Sequence, residues 1–192
     1  MCMKIALTNL GKYNEGVLDF VWLELPATET EIEEAFNDIQ VSYNGKIWYS
    51  DGMGHASENA GGAFYGEYEE VFITDYECDF YEVGEYENID SLNEIAELFD
   101  GIPAYERDVV KGLVKECGLT LEEAIDQADN VYIYSGCYDY TDCAYQYIEE
   151  TGLLDGVPDS IANYFDYEAF GRDMSFEGQW FHTDGGMACL LY

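Results

Sequence analysis

The mixture of acids and apolar residues over residues 145–173 limits most strongly how this chain can fold. The stretch holds seven acids and a single base, Arg172. Its acids are Glu149, Glu150, Asp155, Asp159, Asp166, Glu168 and Asp173. Its apolar residues are Tyr145, Ile148, Leu153, Leu154, Val157, Ile161, Tyr164, Phe165 and Phe170. Disordered acidic segments lack apolar mass of this kind, so the stretch predicts folded helices with acidic outer faces.

The negative charge is a property of the whole chain. Among 192 residues there are 41 acids and 7 bases, which gives a net charge of −34, while hydrophobic residues make up 48%. Residues 1–75, 76–120 and 121–192 carry −11, −9 and −14. Self-repulsion of this size destabilises a compact state, so we expect the charge to serve a function. It argues against a nucleic-acid partner and favours a partner that itself binds nucleic acid.

The average charge density is lower than that of DNA. A globule of 21.8 kDa exposes roughly 9,300 Å², or about 270 Å² per net charge. Duplex DNA carries a charge every ~1.7 Å of its axis, or about 110 Å² per charge on a cylinder of ~10 Å radius. The chain therefore reaches a DNA-like density only if its acids gather on one face or if the molecule is elongated.

Apolar periodicity and turn residues predict an α+β fold of three small modules. Residues 1–87 form a mixed sheet and helix module with a glycine-rich insertion at about 41–68. Its predicted elements are strands at 3–9, 17–24 and 70–75, a turn at 11–16, and a helix that a capping box of Thr28 and Glu31 begins.

The two remaining modules follow from a switch to helical periodicity at 88 and back to strands at 131. Residues 88–130 predict a helical bundle, in which Thr120 and Glu123 form another capping box. Residues 131–192 predict an α+β module. Its elements are a strand at 131–135, helices at 141–151 and 158–165, and a closing hairpin over 180–192.

The sequence offers no arrangement typical of catalysis. It contains no GxSxG, HExxH, GxxxxGK[ST] or GxGxxG motif after a strand, and Cys137 and Cys143 have a poor spacing for zinc. We therefore predict no enzyme activity, no cofactor and no metal, with the cysteines as core thiols. A carboxylate-dependent hydrolase is a less favoured alternative, because among 41 acids any carboxylate pair is uninformative.

The absence of a signal peptide and of a long apolar run predicts a cytoplasmic protein that does not enter membranes. A surface adapted to high salt would also explain a large negative charge. It ranks below a binding function, because the chain has eighteen tyrosines and six cysteines and because of the resemblance described next.

Segments in most of the chain, apart from roughly 41–68, resemble one protein family. They include YIEETG and NYFDYEAFGRD within 147–173, NLGKYNEG at 9–16, ITDYE at 73–77, part of YENIDSLN (Tyr86, Ile89, Leu92 and Asn93), and more weakly FHTDGGMACLLY at the end. In their order along the chain they resemble the ArdA antirestriction proteins, which imitate DNA.

The resemblance implies an elongated, three-module homodimer. Such a protein occupies the DNA-binding groove of type I restriction–modification enzymes, in their methyltransferase core, and blocks restriction and in some cases modification. Its carboxylates take the place of phosphates against Lys and Arg. The acids in the matched motifs, called the predicted acid array below, are Glu15, Asp75, Glu77, Glu87, Asp139, Asp142, Glu149, Glu150, Asp155, Asp166, Glu168 and Asp173.

The apolar, aromatic C-terminal module is the expected dimer contact, through Tyr145, Phe165 and Tyr192. The alternative to DNA imitation of this kind is an acidic inhibitor or chaperone of another basic DNA-binding protein.

Overall fold

The computed structural model describes residues 3–58 and 65–191. The contacts group the chain into two compact units, Met1–Gly101 and Ile102–Tyr192, called unit 1 and unit 2. Each unit combines helices with small antiparallel sheets, so the predicted α+β class is confirmed. The division into three modules, with breaks near 87 and 130, stays a prediction.

Unit 1 is built around a central strand, Met3–Asn9 (β1), which pairs antiparallel with a strand on each side. The other elements are α1 (Leu10–Asn14), β2 (Phe20–Leu25), α2 (Glu29–Asp38), β3 (Tyr49–Ser50), β4 (Ala56–Ser57), β5 (Gly66–Glu67), β6 (Val71–Cys78) and α3 (Ile89–Asp100). The order of the main sheet is β2-β1-β6, and a smaller sheet has the order β4-β3-β5.

Much of the core of unit 1 lies on one face of the main sheet. Met3, Ile5 and Leu7 alternate along β1 and are at most 1% exposed, as expected for side chains that share one face of a strand. Helices α2 and α3 both contact β2. The ring of Phe99 in α3 stacks on Phe80 with 3.8 Å between centroids.

The described residues of the glycine-rich insertion at about 41–68 include the small sheet β4-β3-β5. Residues 59–64 of this segment lie outside the described residues. The predicted turn at 11–16 was wrong in part, because its first residues belong to the short helix α1. Asn9 begins this helix, since its side chain accepts a hydrogen bond of 2.9 Å from the backbone N–H of Lys12.

Unit 2 combines helices with a three-stranded sheet. Its elements are α4 (Arg107–Lys115), α5 (Leu121–Gln127), a 3-10 helix (Ala128–Asn130), β7 (Val131–Ser135), α6 (Tyr140–Thr151), α7 (Asp159–Ala162), α8 (Tyr167–Met174), β8 (Gln179–Thr183) and β9 (Gly186–Leu190). The sheet has the order β7-β9-β8, and its side chains alternate between two faces. On one face Tyr134, Met187 and Cys189 pack against α6 and α8, while Phe181, on the opposite face, lies against Gly112 of α4.

Local signals in the sequence located most helix ends. Both predicted capping boxes form, at Thr28 with Glu31 and at Thr120 with Glu123. Helix α6 ends at Gly152 with a φ of 65°, a left-handed conformation that glycine adopts without strain. Helix α8 was missed by the sequence analysis, which predicted one helix over 158–165. The structure has a short α7 and then a separate α8.

Within the described parts of the chain, none of the helices has the length and apolar character needed to cross a membrane.

Candidate functional site

All 41 acids lie in the described parts of the chain, and none of them is buried. The carboxylates therefore lie at the surface of the protein, either exposed or half-buried. The half-buried acids are Glu15, Asp19, Glu33, Asp51, Glu87, Glu106 and Asp108, and the others are exposed.

Both units are strongly negative. Unit 1 contains 23 acids and 3 bases, and unit 2 contains 18 acids and 4 bases. The net charges of −20 and −14 show that neither unit offsets the other.

Several of the bases are engaged by neighbouring groups. Lys12 is only 4% exposed, and its ammonium contacts the side chains of Asp19 and Gln40. The ammonium of Lys46 lies 3.2 Å from Glu58, and the guanidinium of Arg172 lies 3.3 Å from Asp173. These pairs leave a large excess of carboxylates without a cation from the chain itself.

Ten acids of the predicted array have exposed side chains, and two do not. The two exceptions are the half-buried Glu15 and Glu87. The exposed ones are Asp75, Glu77, Asp139, Asp142, Glu149, Glu150, Asp155, Asp166, Glu168 and Asp173.

One helix pair brings seven of these ten acids together. Helices α6 and α8 pack directly against each other, and Tyr145 of α6 stacks on Tyr167 of α8 with 3.7 Å between ring centroids. The helices cross closely at Gly171, where an added Cβ would lie 2.3 Å from the carbonyl oxygen of Tyr140. The acids on or at the start of this pair are Asp139, Asp142, Glu149, Glu150, Asp166, Glu168 and Asp173.

Two of these acids also cap helices. The carboxylate of Asp139 accepts a hydrogen bond of 2.8 Å from the backbone N–H of Asp142 at the start of α6. The carboxylate of Asp166 accepts one of 2.9 Å from Ala169 at the start of α8. A negative charge at a helix N-terminus is stabilised by the helix dipole. Asp139 and Asp166 therefore contribute to the fold as well as to the charge of the surface.

Glu150 connects the helix pair to the sheet of unit 2. Its carboxylate accepts hydrogen bonds from the hydroxyl of Tyr132 in β7 and from the side-chain amide of Gln146, the latter at 2.8 Å. These two bonds lower the pKa of Glu150, because they stabilise the charged form. Glu150 is therefore ionised at neutral pH.

Glu15 has a different environment from the rest of the array. Its carboxylate accepts hydrogen bonds from Ser50, Gly54 and Tyr68 within unit 1. Burial by itself raises the pKa of this carboxyl group, but the three hydrogen bonds outweigh that effect and the pKa is lowered. All three donors belong to the insertion at 41–68, so these hydrogen bonds connect the insertion to Glu15.

Glu87 is also tied into its own segment. Its carboxylate accepts a hydrogen bond of 2.8 Å from the backbone N–H of Gly84 and another from the hydroxyl of Tyr81. The hydrogen bond to Glu87, together with burial, raises the pKa of Tyr81 to about 12.

Two further acids of the array lie on the sheet of unit 1. Asp75 is directly opposite Ala6 in the strand register, and Glu77 is directly opposite Lys4. Residues paired in this way point to the same face of the sheet. The exposed aromatic residues Phe20 and Trp22 on the neighbouring strand were not predicted as site residues, although their alternation in FVWLEL (20–25) signals a shared face.

The residues expected at a dimer contact take part in packing within unit 2. Tyr145 is 52% exposed although it stacks on Tyr167, and the half-buried Phe165 lies against Tyr167 and Phe170. Tyr192 lies outside the described residues. The dimer contact stays a prediction.

The cysteines in the core of unit 2 are poor nucleophiles. Cys137, Cys143 and Cys189 are buried and carry free thiols, as predicted for Cys137 and Cys143. Burial raises the pKa of Cys143 to about 12 and that of Cys189 to about 11. Over residues 3–58 and 65–191, no three His, Cys, Asp or Glu side chains gather in a way that could hold a metal ion.

The chain is an acidic α+β protein of two small units, most of whose carboxylates are exposed. The family model described as antirestriction protein (ArdA) matches residues 5–188. The chain therefore belongs to the ArdA antirestriction family, which confirms the resemblance seen in the sequence. No individually curated protein sequence matches the chain significantly.

Proposed function

We propose that this antirestriction protein imitates B-form DNA and occupies the DNA-binding groove of a type I restriction–modification enzyme. Its carboxylates take the positions of phosphates against Lys and Arg of the methyltransferase core. Restriction is blocked because the groove is filled, and modification is blocked wherever it uses the same groove. The exposure of nearly all the acids, with several bases paired to acids of the protein itself, carries this proposal.

The amount of charge fits a stretch of duplex. DNA carries two charges per base pair, so a net charge of −34 equals that of about 17 base pairs. A type I enzyme reads a split target, so a longer imitation would reach both of its parts. We therefore propose that two copies act together as a homodimer, with Tyr145 and Phe165 near the contact. Sedimentation at micromolar concentration tests this, and a monomer there contradicts it.

The affinity is spread over the predicted acid array. An exposed charge pair contributes about 0–1 kcal/mol, so a single amide substitution weakens binding less than about fivefold. Replacing six acids of the α6 and α8 helix pair weakens it by about tenfold or more. The six changes are Asp139→Asn, Asp142→Asn, Glu149→Gln, Asp166→Asn, Glu168→Gln and Asp173→Asn.

The test is competition with cognate duplex for a purified methyltransferase core. Asparagine at 139 and 166 keeps both helix caps, because it is as good an N-cap as aspartate, so the fold of the sixfold variant is preserved. A second variant removes six charges elsewhere in unit 2 and serves as a matched control. Its changes are Glu122→Gln, Asp126→Asn, Asp129→Asn, Asp159→Asn, Glu177→Gln and Asp184→Asn.

The outcomes separate the position of the charges from their number. A weaker array variant beside a nearly unaffected control supports the proposed surface. Equal weakening of both shows that net charge alone matters and contradicts the assignment of the array. A wild-type protein that binds a nucleoid protein or a nuclease but leaves the methyltransferase core free supports instead the acidic inhibitor or chaperone.

A further inference from the structure

The solvent side of the main sheet in unit 1 combines exposed aromatic rings with carboxylates. Residues of β1 alternate between two faces, with Met3, Ile5 and Leu7 at most 1% exposed on the core side. Lys4 and Ala6 point to the other side, on which Ala6 is 2% exposed and Thr8 and its strand partner Phe72 are also buried. The part of this side that is called the aromatic face comprises Lys4, Ala6, Phe20, Trp22, Glu24, Asp75 and Glu77.

The strand register places these side chains in rows across the sheet. Ala6 lies between Trp22 on β2 and Asp75 on β6. Lys4 lies between Glu24 and Glu77 in the next row. Because neighbouring strands are about 4.8 Å apart, the ring of Trp22 and the carboxylate of Asp75 start about 10 Å from each other. A small side chain, Ala6, separates them.

The two rings are open to solvent. Phe20 is 48% exposed and Trp22 is 36% exposed, and they lie two residues apart on the same strand, so they share one face. Glu24, Asp75 and Glu77 are exposed as well. Two aromatic rings beside three carboxylates suit a partner whose cationic side chains make cation–π contacts with the rings and ion pairs with the carboxylates.

The free protein already shows that Trp22 accepts a cation. The ammonium of Lys4 lies over its ring, 5.3 Å from the centroid, and 4.0 Å from the carboxylate of Glu24. Both contacts are near the limits for such interactions. The aromatic face therefore has one ammonium group and three carboxylates, which gives it a net charge of −2.

We propose that the aromatic face binds arginine side chains on a basic protein surface. A guanidinium group stacks on Trp22 or Phe20, while Glu24, Asp75 and Glu77 accept its N–H groups. Arginine fits better than lysine because its group is planar, weakly hydrated and has several donors in a fixed plane. The three carboxylates repel nucleic acid and also a second copy of this face. This inference deepens the proposed function and rests on it only for the source of the arginines.

The first experiment uses the full chain and two peptides, octa-arginine and octa-lysine. In NMR titrations, the indole N–H signal of Trp22 shifts with octa-arginine, which binds at least about fivefold more tightly than octa-lysine. The double variant Phe20→Leu, Trp22→Leu loses at least about fivefold in affinity for octa-arginine and loses the preference for arginine. Phe176→Leu, at a ring 79% exposed in unit 2, changes neither.

A second pair of variants tests the same face in the opposite direction. Lys4→Met removes the cation that occupies Trp22, so affinity for octa-arginine rises. Lys115→Met removes the same charge from an exposed lysine of unit 2, and it gives the smaller rise. Equal rises for the two variants, or a Trp22 signal that does not move, overturn the proposal. Backbone amide spectra show whether each variant keeps its fold. If the double variant unfolds, the comparison of Lys4→Met with Lys115→Met tests the proposal in its place.

Competition for the methyltransferase core then separates this inference from the proposed function. If the array variant weakens competition and the double aromatic variant does not, the aromatic face is overturned while the function stands. If the face binds octa-arginine as expected but the wild type does not compete, the function fails and the face stands. If the double variant instead abolishes self-association in sedimentation, the face binds a second copy and the proposal is wrong.

Discussion

At the scale of single residues, three hydrogen-bond donors surround the carboxylate of Glu15, an acid of the predicted acid array. Ser50 Oγ and the Tyr68 hydroxyl each lie 2.6 Å away, and the backbone N–H of Gly54 donates at 2.7 Å. Each donor would lose its partner if the carboxylate were removed. Buried or half-buried donors left without a partner cost free energy.

Glu15→Gln is expected to lower the free energy of unfolding by about 1–3 kcal/mol at pH 7. An amide keeps a single acceptor oxygen and turns an NH₂ group towards the remaining donors. Urea denaturation of the two proteins measures the difference. Glu34→Gln, the same change at an exposed acid of α2, serves as the control and leaves stability nearly unchanged.

The effect of Glu15→Gln also depends on pH. The folded state lowers the pKa of Glu15 below its ordinary value of 4.5. The stabilisation is therefore complete above that value and is lost as the pH falls through the lower folded-state pKa. We expect the stability difference between the variant and the wild type to shrink below about pH 4.5. A difference that is constant from pH 7 to pH 3 contradicts this account.

At the scale of helices and strands, the start of α6 tests whether a carboxylate acts through its charge or through its cap. Asp139→Ala removes the acceptor for the backbone N–H of Asp142 and is expected to cost about 1 kcal/mol of stability. Asp139→Asn keeps the cap and changes stability by a few tenths of a kcal/mol. Thermal unfolding compares the two variants. Equal losses in both would show that the charge, rather than the hydrogen bond, stabilises the helix start.

The close crossing of α6 and α8 depends on Gly171. A methyl group there would lie 2.3 Å from the carbonyl oxygen of Tyr140, a backbone atom that cannot rotate away. Gly171→Ala is expected to destabilise the protein by about 1–3 kcal/mol, as overpacking usually does, although alanine favours helix formation. Gly66→Ala provides the control, because an added Cβ there meets no atom within 4 Å. A neutral Gly171→Ala would disprove the close crossing.

At the scale of the whole molecule, charge density determines how binding responds to salt. DNA condenses counterions because its charges are close, and the release of these ions drives binding to it. This protein, averaged over its surface, has a charge density roughly 2.5-fold lower than a duplex. It therefore holds fewer condensed ions, and its binding depends more on hydrogen bonds and apolar contact.

Salt is thus expected to weaken the complex with this protein less than the DNA complex of the same enzyme. The measurement is to titrate a methyltransferase core with the protein and with cognate duplex from about 50 to 300 mM salt. We expect a shallower slope of log K against log salt for the protein. A slope as steep as that of the duplex would show that its binding is purely electrostatic.

The sequence alone predicted the features that depend on neighbouring residues. Net charge follows from composition, helix stripes from a period of 3.6, and the capping boxes from residues three apart, such as Thr28 and Glu31. The family followed from short segments in order along the chain. These features are local, so they are present in the sequence before the chain folds.

Local reasoning was less successful where a glycine or an asparagine had a tertiary role. Gly171 lowers helix propensity in the middle of α8. The reason for a glycine there is the backbone of α6, which lies too close for a Cβ. Asn9 was predicted only as the last residue of a strand, whereas it also caps α1 and donates a hydrogen bond to the carbonyl of Ile39.

Only the tertiary structure decided which carboxylates stay in solvent and which are used inside the protein. Glu15 and Tyr68 are 53 positions apart in sequence. Asp75 and Trp22 lie in one row of the sheet because each pairs with Ala6 of β1, the strand between them. No periodicity or spacing connects such residues. They meet because burial of Met3, Ile5 and Leu7 fixes the register of the sheet, and that register then determines which side chains share its outer face.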